Sequence, residues 1–290
     1  FEYLNIFEWT TLCSYHISAL SAVMGLCFVL GVPGNVAVLV MLVRRLKEKN
    51  FTLSLAISDL LTLLPLPVWI WALLHDWIFG SVACKTVSYI GYWCAFSSTF
   101  CVTLMSFQRY MQVLHPQIWA KLGDHGEKGL LAGIWIVSGL LASYIPVQRD
   151  VGCTPYGFQY CYQQFKSDSE KLQTSLLEMF QFFICFFLLA IFYYCLHRGV
   201  NQSPFFSSNR LTKLVTLIVL AFFMFYAAIP LVNILNIIAI SLENESLLKT
   251  FELAGRLARS IAFLSGCVNP FLYKFSFRGQ HTRSSSTLHT

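Results

Sequence analysis

CKTVSYIGYWCAFSSTFCVTLMSFQR, residues Cys84 to Arg109, is the stretch on which the reading of this chain turns. Between Lys85 and Arg109 it holds no charge, and its residues are apolar, aromatic or small. As a helix it would be roughly 37 Å long, enough to cross a bilayer core of about 30 Å with one end in each interface. A soluble helix of that length keeps a polar face, because one side meets water. This stretch has no such face, so it reads as a membrane-crossing helix near the centre of a bundle.

Composition agrees. Of 290 residues, 56% are hydrophobic and 12% charged, against about 25% charged in a soluble domain. The chain cannot coat itself for water and reads as an all-α, polytopic membrane protein. Its net charge of +6 does not point to nucleic acid, because the basic residues fall in short loops between apolar runs. Phe1 to Tyr15 reads as an extracellular arm, cut short at its start. Seven apolar runs follow, at about 16–43, 51–75, 81–113, 129–148, 172–197, 211–240 and 249–274, and residues 275–290 form a short cytoplasmic tail. There is no internal repeat, which speaks against a transporter built from duplicated halves.

Orientation follows from charge. Arg44, Arg45, Lys47, Lys49, Arg109, Lys121, Lys128, Arg198, Arg210 and Lys213 all lie in loops on one side, and most of the 20 lysines and arginines share it. The positive-inside rule makes that side cytoplasmic and the N-terminus extracellular. Of three Asn-x-Ser/Thr sequons, Asn50 and Asn201 are then cytoplasmic and bare, and Asn244 alone faces the glycosylation machinery. Cys27, Cys94, Cys101, Cys185, Cys195 and Cys267 lie inside apolar runs as small packing residues. Cys13, Cys84, Cys153 and Cys161 lie near loops, and no zinc or CxxC spacing occurs.

Asp59, in LSLAISDLLTLL, stands at membrane depth, where an ionisable group is costly and marks a functional site by default. The bland alternative is a solvated acid near an interface. Asn35 of GVPGN lies at similar depth and could hydrogen-bond to it. Ser98 offers a hydroxyl from the third run, and Ser265 and Asn269 of SGCVNPFLY add oxygens from the seventh. A carboxylate ringed by hydroxyls and an amide suits a sodium ion, although water alone would fill the same space. Nothing calls for any other cofactor. Pro67, Pro230 and Pro270 each interrupt a helix's hydrogen-bond ladder, giving three kinks around one polar centre.

GVPGN, LAISD with Asp59, Cys84 through Gln-Arg-Tyr at 108–110, Trp135 and Asn-Pro-Phe-Leu-Tyr at 269–273 occur one per expected helix. In that order they resemble the rhodopsin-like (class A) G-protein-coupled receptors, over essentially the whole chain. LLAGIWIVSGLLASYIPVQR and RSIAFLSGCVNPFLY look most like the leukotriene B4 receptors of the chemoattractant branch. The resemblance implies a seven-transmembrane bundle in the plasma membrane. It implies that Cys84 pairs with a cysteine of the second outer loop, where Cys153 and Cys161 compete; Cys161, nearer the fifth helix, is the family-like choice. It implies that Arg109, Tyr194 and Tyr273 form a cytoplasmic switch admitting a heterotrimeric G protein, of the inhibitory type, with arrestin as a further partner. The bland reading of each tyrosine is an interface anchor.

In the outer half, Arg149, Glu178, Arg256 and Arg259 stand at or just within helix ends, and Ser88, Tyr89 and Trp93 are placed to line the same cup. Arginines over an aromatic, apolar cavity suit an amphiphilic acid such as a lipid mediator. Arg149 and Glu178 sit where leukotriene B4 receptors have their Arg and Glu, while either Arg256 or Arg259 could be the seventh-helix counterpart. The alternative is that these charges snorkel to water.

Three departures stand out. Gln108 replaces the family's acid beside Arg109, Ala228 its tryptophan two before Pro230, and Phe186 its fifth-helix proline. A decoy of the same fold, binding ligand without signalling, is therefore the alternative to a signalling receptor. An intramembrane enzyme would need paired acids, a metal set or a Ser/Lys dyad at depth, and Asp59 stands alone there. A retinal-type pump would need a mid-helix lysine in the seventh run, whereas Lys274 is at its end.

Overall fold

The structure is a computed structural model that describes residues 2–45, 50–154, 157–201 and 210–286. Side chains are described over 17–42, 50–154, 157–196, 198, 216–244, 246–248, 250–251 and 253–271. The described residues form a helix bundle with one small hairpin. The first crossing is α1 (Glu2–Arg45), which starts well before the expected 16, so residues 2–15 continue it as helix. The second crossing is α2 (Asn50–Leu63) and α3 (Leu66–Leu74). The break falls at Leu64–Pro65, and Pro67 sits in the first turn of α3. There its missing N–H costs little, so Pro65 rather than Pro67 makes this kink.

The third crossing, α4 (Gly80–Leu114), is unbroken and central: it packs against α2, against the next crossing and against the fifth and sixth. Its Cys84 and Arg109 ends therefore lie at opposite ends of the bundle. The fourth crossing is α5 (Pro116–Ala142) with α6 (Ile145–Gln148). Pro146 has no N–H to give the Ala142 carbonyl, and α5 stops there. Gly123, at φ 61°, lets the chain turn between a short segment carrying Trp119 and the crossing proper. Trp119 is buried against Phe51 and Phe107 and docks that segment under the bundle.

A hairpin follows, β1 (Arg149–Cys153) and β2 (Gln159–Gln163), antiparallel with Val151 opposite Cys161. The fifth crossing is α7 (Asp168–Asn201). Ser167 accepts the Glu170 N–H (3.3 Å), and the Glu170 carboxylate reaches back to the Lys166 N–H (2.7 Å), the reciprocal cap that starts a helix. The sixth crossing is α8 (Arg210–Tyr226) and α9 (Ala228–Ser241), parted where Pro230 leaves the Tyr226 carbonyl without its donor. The seventh is α10 (Glu245–Ser286), started by Asn244, whose Oδ1 accepts the Leu247 N–H (3.1 Å). Among the described residues the first six crossings are each long and apolar enough to span a bilayer. α10 closes the ring against α1, α2, α8 and α9.

Large apolar side chains point outward, Met224 at 70% and Leu140 at 68% exposure among them, as a lipid-facing surface requires. Lipid is as apolar as leucine, so tight packing and interhelical hydrogen bonds must hold such helices together. Gly31 shows how: a Cβ there would stand 2.5 Å from Leu63 and 2.9 Å from the Cys267 sulfur. Only glycine lets α1 approach α2 and α10 this closely.

Candidate functional site

The inner polar centre forms around Asp59, which is buried on α2. Ser98 of α4 donates to its Oδ1 (3.0 Å) and the Asn269 amide of α10 to its Oδ2 (2.7 Å). Ser265 is buried one turn away, its hydroxyl donating to the Ala262 carbonyl (2.8 Å) and lying beside the Tyr226 phenol. Three expected residues, Asp59, Ser98 and Asn269, thus meet directly from three helices, and Ser265 lies one turn from Asn269. Asn35 does not bond to Asp59. Its amide donates to the carbonyls of Gly31 (2.9 Å) and Gly266 (3.0 Å). Pro270 removes the helical donor that Gly266 would otherwise have, and Asn35 supplies the replacement from α1.

At the outer end of the bundle the hairpin is tied to α4. Cys84 is bonded to Cys161, Cα atoms 5.7 Å apart, and Cys153 is exposed. The Val151 N–H (2.9 Å) and the Ser81 hydroxyl (3.1 Å) both donate to Asp150 Oδ1 and hold its carboxyl below the ordinary aspartate value. Trp77, wholly buried in the first outer loop, donates its backbone N–H to Gln159 (2.9 Å) and its indole N–H to Gly80 (2.8 Å). Its place in WIFG, a bulky ring before a turn glycine, is the sequence signal for this anchor.

Glu178 of α7 accepts from Asn233 of α9 (2.9 Å) and lies 3.8 Å from the Arg259 guanidinium of α10. Arg149 comes in from β1 beside Tyr92, within electrostatic reach of Arg259 and Glu178. Burial works against its charge and pulls its pKa below the usual arginine value. Tyr144 is the further neighbour of this group. Arg149 Nε and the hydroxyls of Tyr144 and Ser88 are buried without a hydrogen-bond partner among the described residues, while the Tyr92 phenol lies within hydrogen-bonding reach of the Arg149 guanidinium.

Not every expected residue joins them. Arg256 is exposed, and Arg259 is the arginine that α10 turns toward Glu178. Tyr89 and Trp93 face α5, donating to the carbonyls of Gly139 (3.3 Å) and Trp135 (2.8 Å) rather than lining the cup. The reason is helical phase. Cys84, Ser88 and Tyr92 follow at intervals of four, which puts them on one face, while Tyr89 and Trp93 share the next.

At the cytoplasmic end, Arg109 is buried and its Nη1 donates to Gln112 Oε1 (2.7 Å). Tyr194 does not approach it: the side chain is 66% exposed. The inward stripe of α7 runs Cys185, Leu189, Tyr193, Leu196, which leaves Tyr194 one position off it. The Tyr273 side chain lies outside the described residues.

The 7 transmembrane receptor (rhodopsin family) model matches residues 34–273. Leukotriene B4 receptor 1 of Homo sapiens is 30% identical over 254 residues, 84% of this chain and 72% of that receptor. G-protein coupled receptor E1 of Equine herpesvirus 2 (strain 86/87) is 28% identical over 268 residues, 86% of this chain and 68% of the viral protein. C-C chemokine receptor type 1 of Homo sapiens is 28% identical over 263 residues, 86% and 74% of the two chains. These relatives are receptors, not enzymes. A family match over most of a chain with this helix order, outer disulfide and buried core leads to one conclusion: the chain belongs to the rhodopsin family of G-protein-coupled receptors, multi-pass proteins of the plasma membrane.

Proposed function

We propose that this receptor binds an amphiphilic, acidic lipid mediator in its outer cavity and answers by activating an inhibitory-type heterotrimeric G protein, with arrestin as a later partner. The observation that carries the reading is the buried group around Arg149, whose Nε and the neighbouring Tyr144 phenol have no hydrogen-bond partner among the described residues. Buried donors in native proteins are nearly always satisfied, so a set left open beside a second guanidinium at Arg259 suits an anionic headgroup. The likeness to leukotriene B4 receptor 1 selects the first acid to try. The test is a lipid-mediator panel including leukotriene B4, read as nucleotide exchange in cells expressing the chain, with Arg109→Ala as the signalling-dead control. Exchange driven only by a cationic ligand or a chemokine would overturn the reading.

Gln108 and Ala228 favour a second reading, a decoy that binds without signalling. It predicts saturable leukotriene B4 binding with no exchange on any G protein. For the inner centre, the reading is a regulatory sodium ion held by Asp59, Ser98, Ser265 and Asn269. The support is a buried carboxylate facing two neutral partners and, among the described residues, no cation. Sodium there would supply the missing positive charge, and agonist affinity should fall as sodium replaces potassium in the buffer. Asn244, exposed at the start of α10, is the expected glycan acceptor.

A further inference from the structure

We propose that Gln148 is a positioning residue for the outer cavity: its buried carboxamide clasps the hairpin to the first turns of α7 and so fixes where Arg149 stands. Gln148 is the last residue of α6, and Arg149 is the first of β1. Three elements meet on its groups. Its backbone carbonyl accepts the Gln164 N–H (2.7 Å), and its Oε1 accepts from the Gln163 amide (3.0 Å), both at the end of β2. Its Nε2 donates to Thr174 Oγ1 on α7 (2.8 Å), with a longer approach to Glu170 Oε1 (3.5 Å). Thr174 spends its own proton on the Glu170 carbonyl (2.9 Å), so its oxygen has only lone pairs to offer and needs an outside donor. Gln148 and Thr174 are both 5% exposed, so water cannot replace the donor or the acceptor.

The consequence reaches Arg149 through one peptide bond. Arg149 pairs with Gln163 across the hairpin, and Gln163 is the residue whose side chain Gln148 holds. The disulfide ties the middle of β2 to α4, while Gln148 ties its end to α7. Two anchors on one short strand fix both its position and its rotation. Without the second, the strand can pivot about Cys161 and carry the guanidinium with it. Because the other end of the clasp is α7, a ligand held by Arg149 also feels any movement of that helix.

This inference rests on the outer-cavity reading above for its ligand consequence, but the clasp itself can be tested without any ligand. The full chain in lipid nanodiscs is followed by amide hydrogen exchange. Gln148→Met keeps chain length and volume and removes both donor and acceptor. Exchange at 149–163 should rise at least tenfold, with the membrane-spanning amides of α4 unchanged. Thr174→Val cuts the α7 side alone and should give the same pattern, which covers failure of the first variant to fold. Gln148→Glu sets two carboxylates against each other and should also open the hairpin. Unchanged hairpin exchange in both Gln148→Met and Thr174→Val overturns the clasp.

With leukotriene B4 as probe, Gln148→Met should speed dissociation five- to fiftyfold and add nothing to Arg149→Ala. Independent additive losses in the double variant would overturn positioning through Arg149. Hairpin opening with no effect of Arg149→Ala on the probe would instead sink the acidic-ligand reading and leave the clasp standing.

Discussion

Arg149 shows what a single side chain contributes here. Its guanidinium is removed from water, and its Nε lacks an acceptor among the described residues, so an arriving carboxylate gains a charge-assisted bond at a site already desolvated. Truncation in Arg149→Ala should weaken an acidic lipid agonist by about 1.5–3 kcal/mol. Competition binding should read this as a loss of roughly ten- to a hundredfold, and unchanged affinity would move the site elsewhere. At the other end, Arg109 leans on the neutral Gln112 one turn along its own helix, and Gln108, where the family carries an acid, is buried beside it. Gln108→Glu would add a local carboxylate that restrains Arg109 in the resting form. Basal nucleotide exchange should fall, and no change would make the departure neutral. Individual contacts were the least legible part of the sequence. Residue type marks Arg149 and Asp59, since charge at depth has few uses. Which of Tyr92 or Tyr89, or of Tyr193 or Tyr194, turns inward depends on helical phase, and a run apolar on every side carries no record of it.

At the scale of elements, kinks and their repairs are tied together. Pro270 frees the Gly266 carbonyl and Asn35 satisfies it from α1, so a defect in one helix becomes a bond between two. Asn35→Leu would leave that carbonyl bare in a dry site. Interhelical hydrogen bonds in membranes average near 0.6 kcal/mol and reach about 1.7, so the expected loss is about 0.5–2 kcal/mol. That is modest, but Gly31 and Gly34 pack the same seam against Cys267 and Pro270, and leucine must also find room there. Thermal unfolding in detergent should shift downward by several degrees, and an unshifted midpoint would show the carbonyl finding another donor. Pro230 marked the break in the sixth crossing, whereas in the second two prolines compete and the earlier one breaks the ladder, α10 runs on as helix through Pro270, and the break before Pro146 was not expected. The hairpin left no such mark. RDVGC and QYCYQ do not alternate cleanly between apolar and polar, because neither strand covers a core. They are held by backbone pairing, the disulfide, Trp77 and Gln148, and only the Thr-Pro-Tyr-Gly turn between them hints at their existence.

The molecule as a whole has a direction, and two independent physical arguments give the same one. Structural disulfides persist in oxidising compartments, so the end of α4 that holds Cys84 and Cys161 faces outward, and basic loops gather at the Arg109 end. Length and apolarity made the seven crossings readable from sequence, because lipid permits few alternatives, and charge predicts their orientation. The sequons test the whole arrangement. Asn50 stands at the inner end of α2, with its amide donating to Asp124 (2.8 Å) and Glu127 (3.0 Å), and should carry no glycan. Asn201, at the inner end of α7, should be bare as well. Any enzymatic deglycosylation shift should vanish in Asn244→Gln and survive in Asn50→Gln and Asn201→Gln. Asn244 lies close to the membrane, so a second readout is needed that does not depend on the glycan. Cys153 is exposed on the hairpin, and its thiol is free, so a membrane-impermeant maleimide on intact cells should label it, and Cys153→Ser should reduce the signal. Labelling only after permeabilisation, or a glycan on Asn50, would turn the bundle upside down and put Arg109 on the side where no G protein waits.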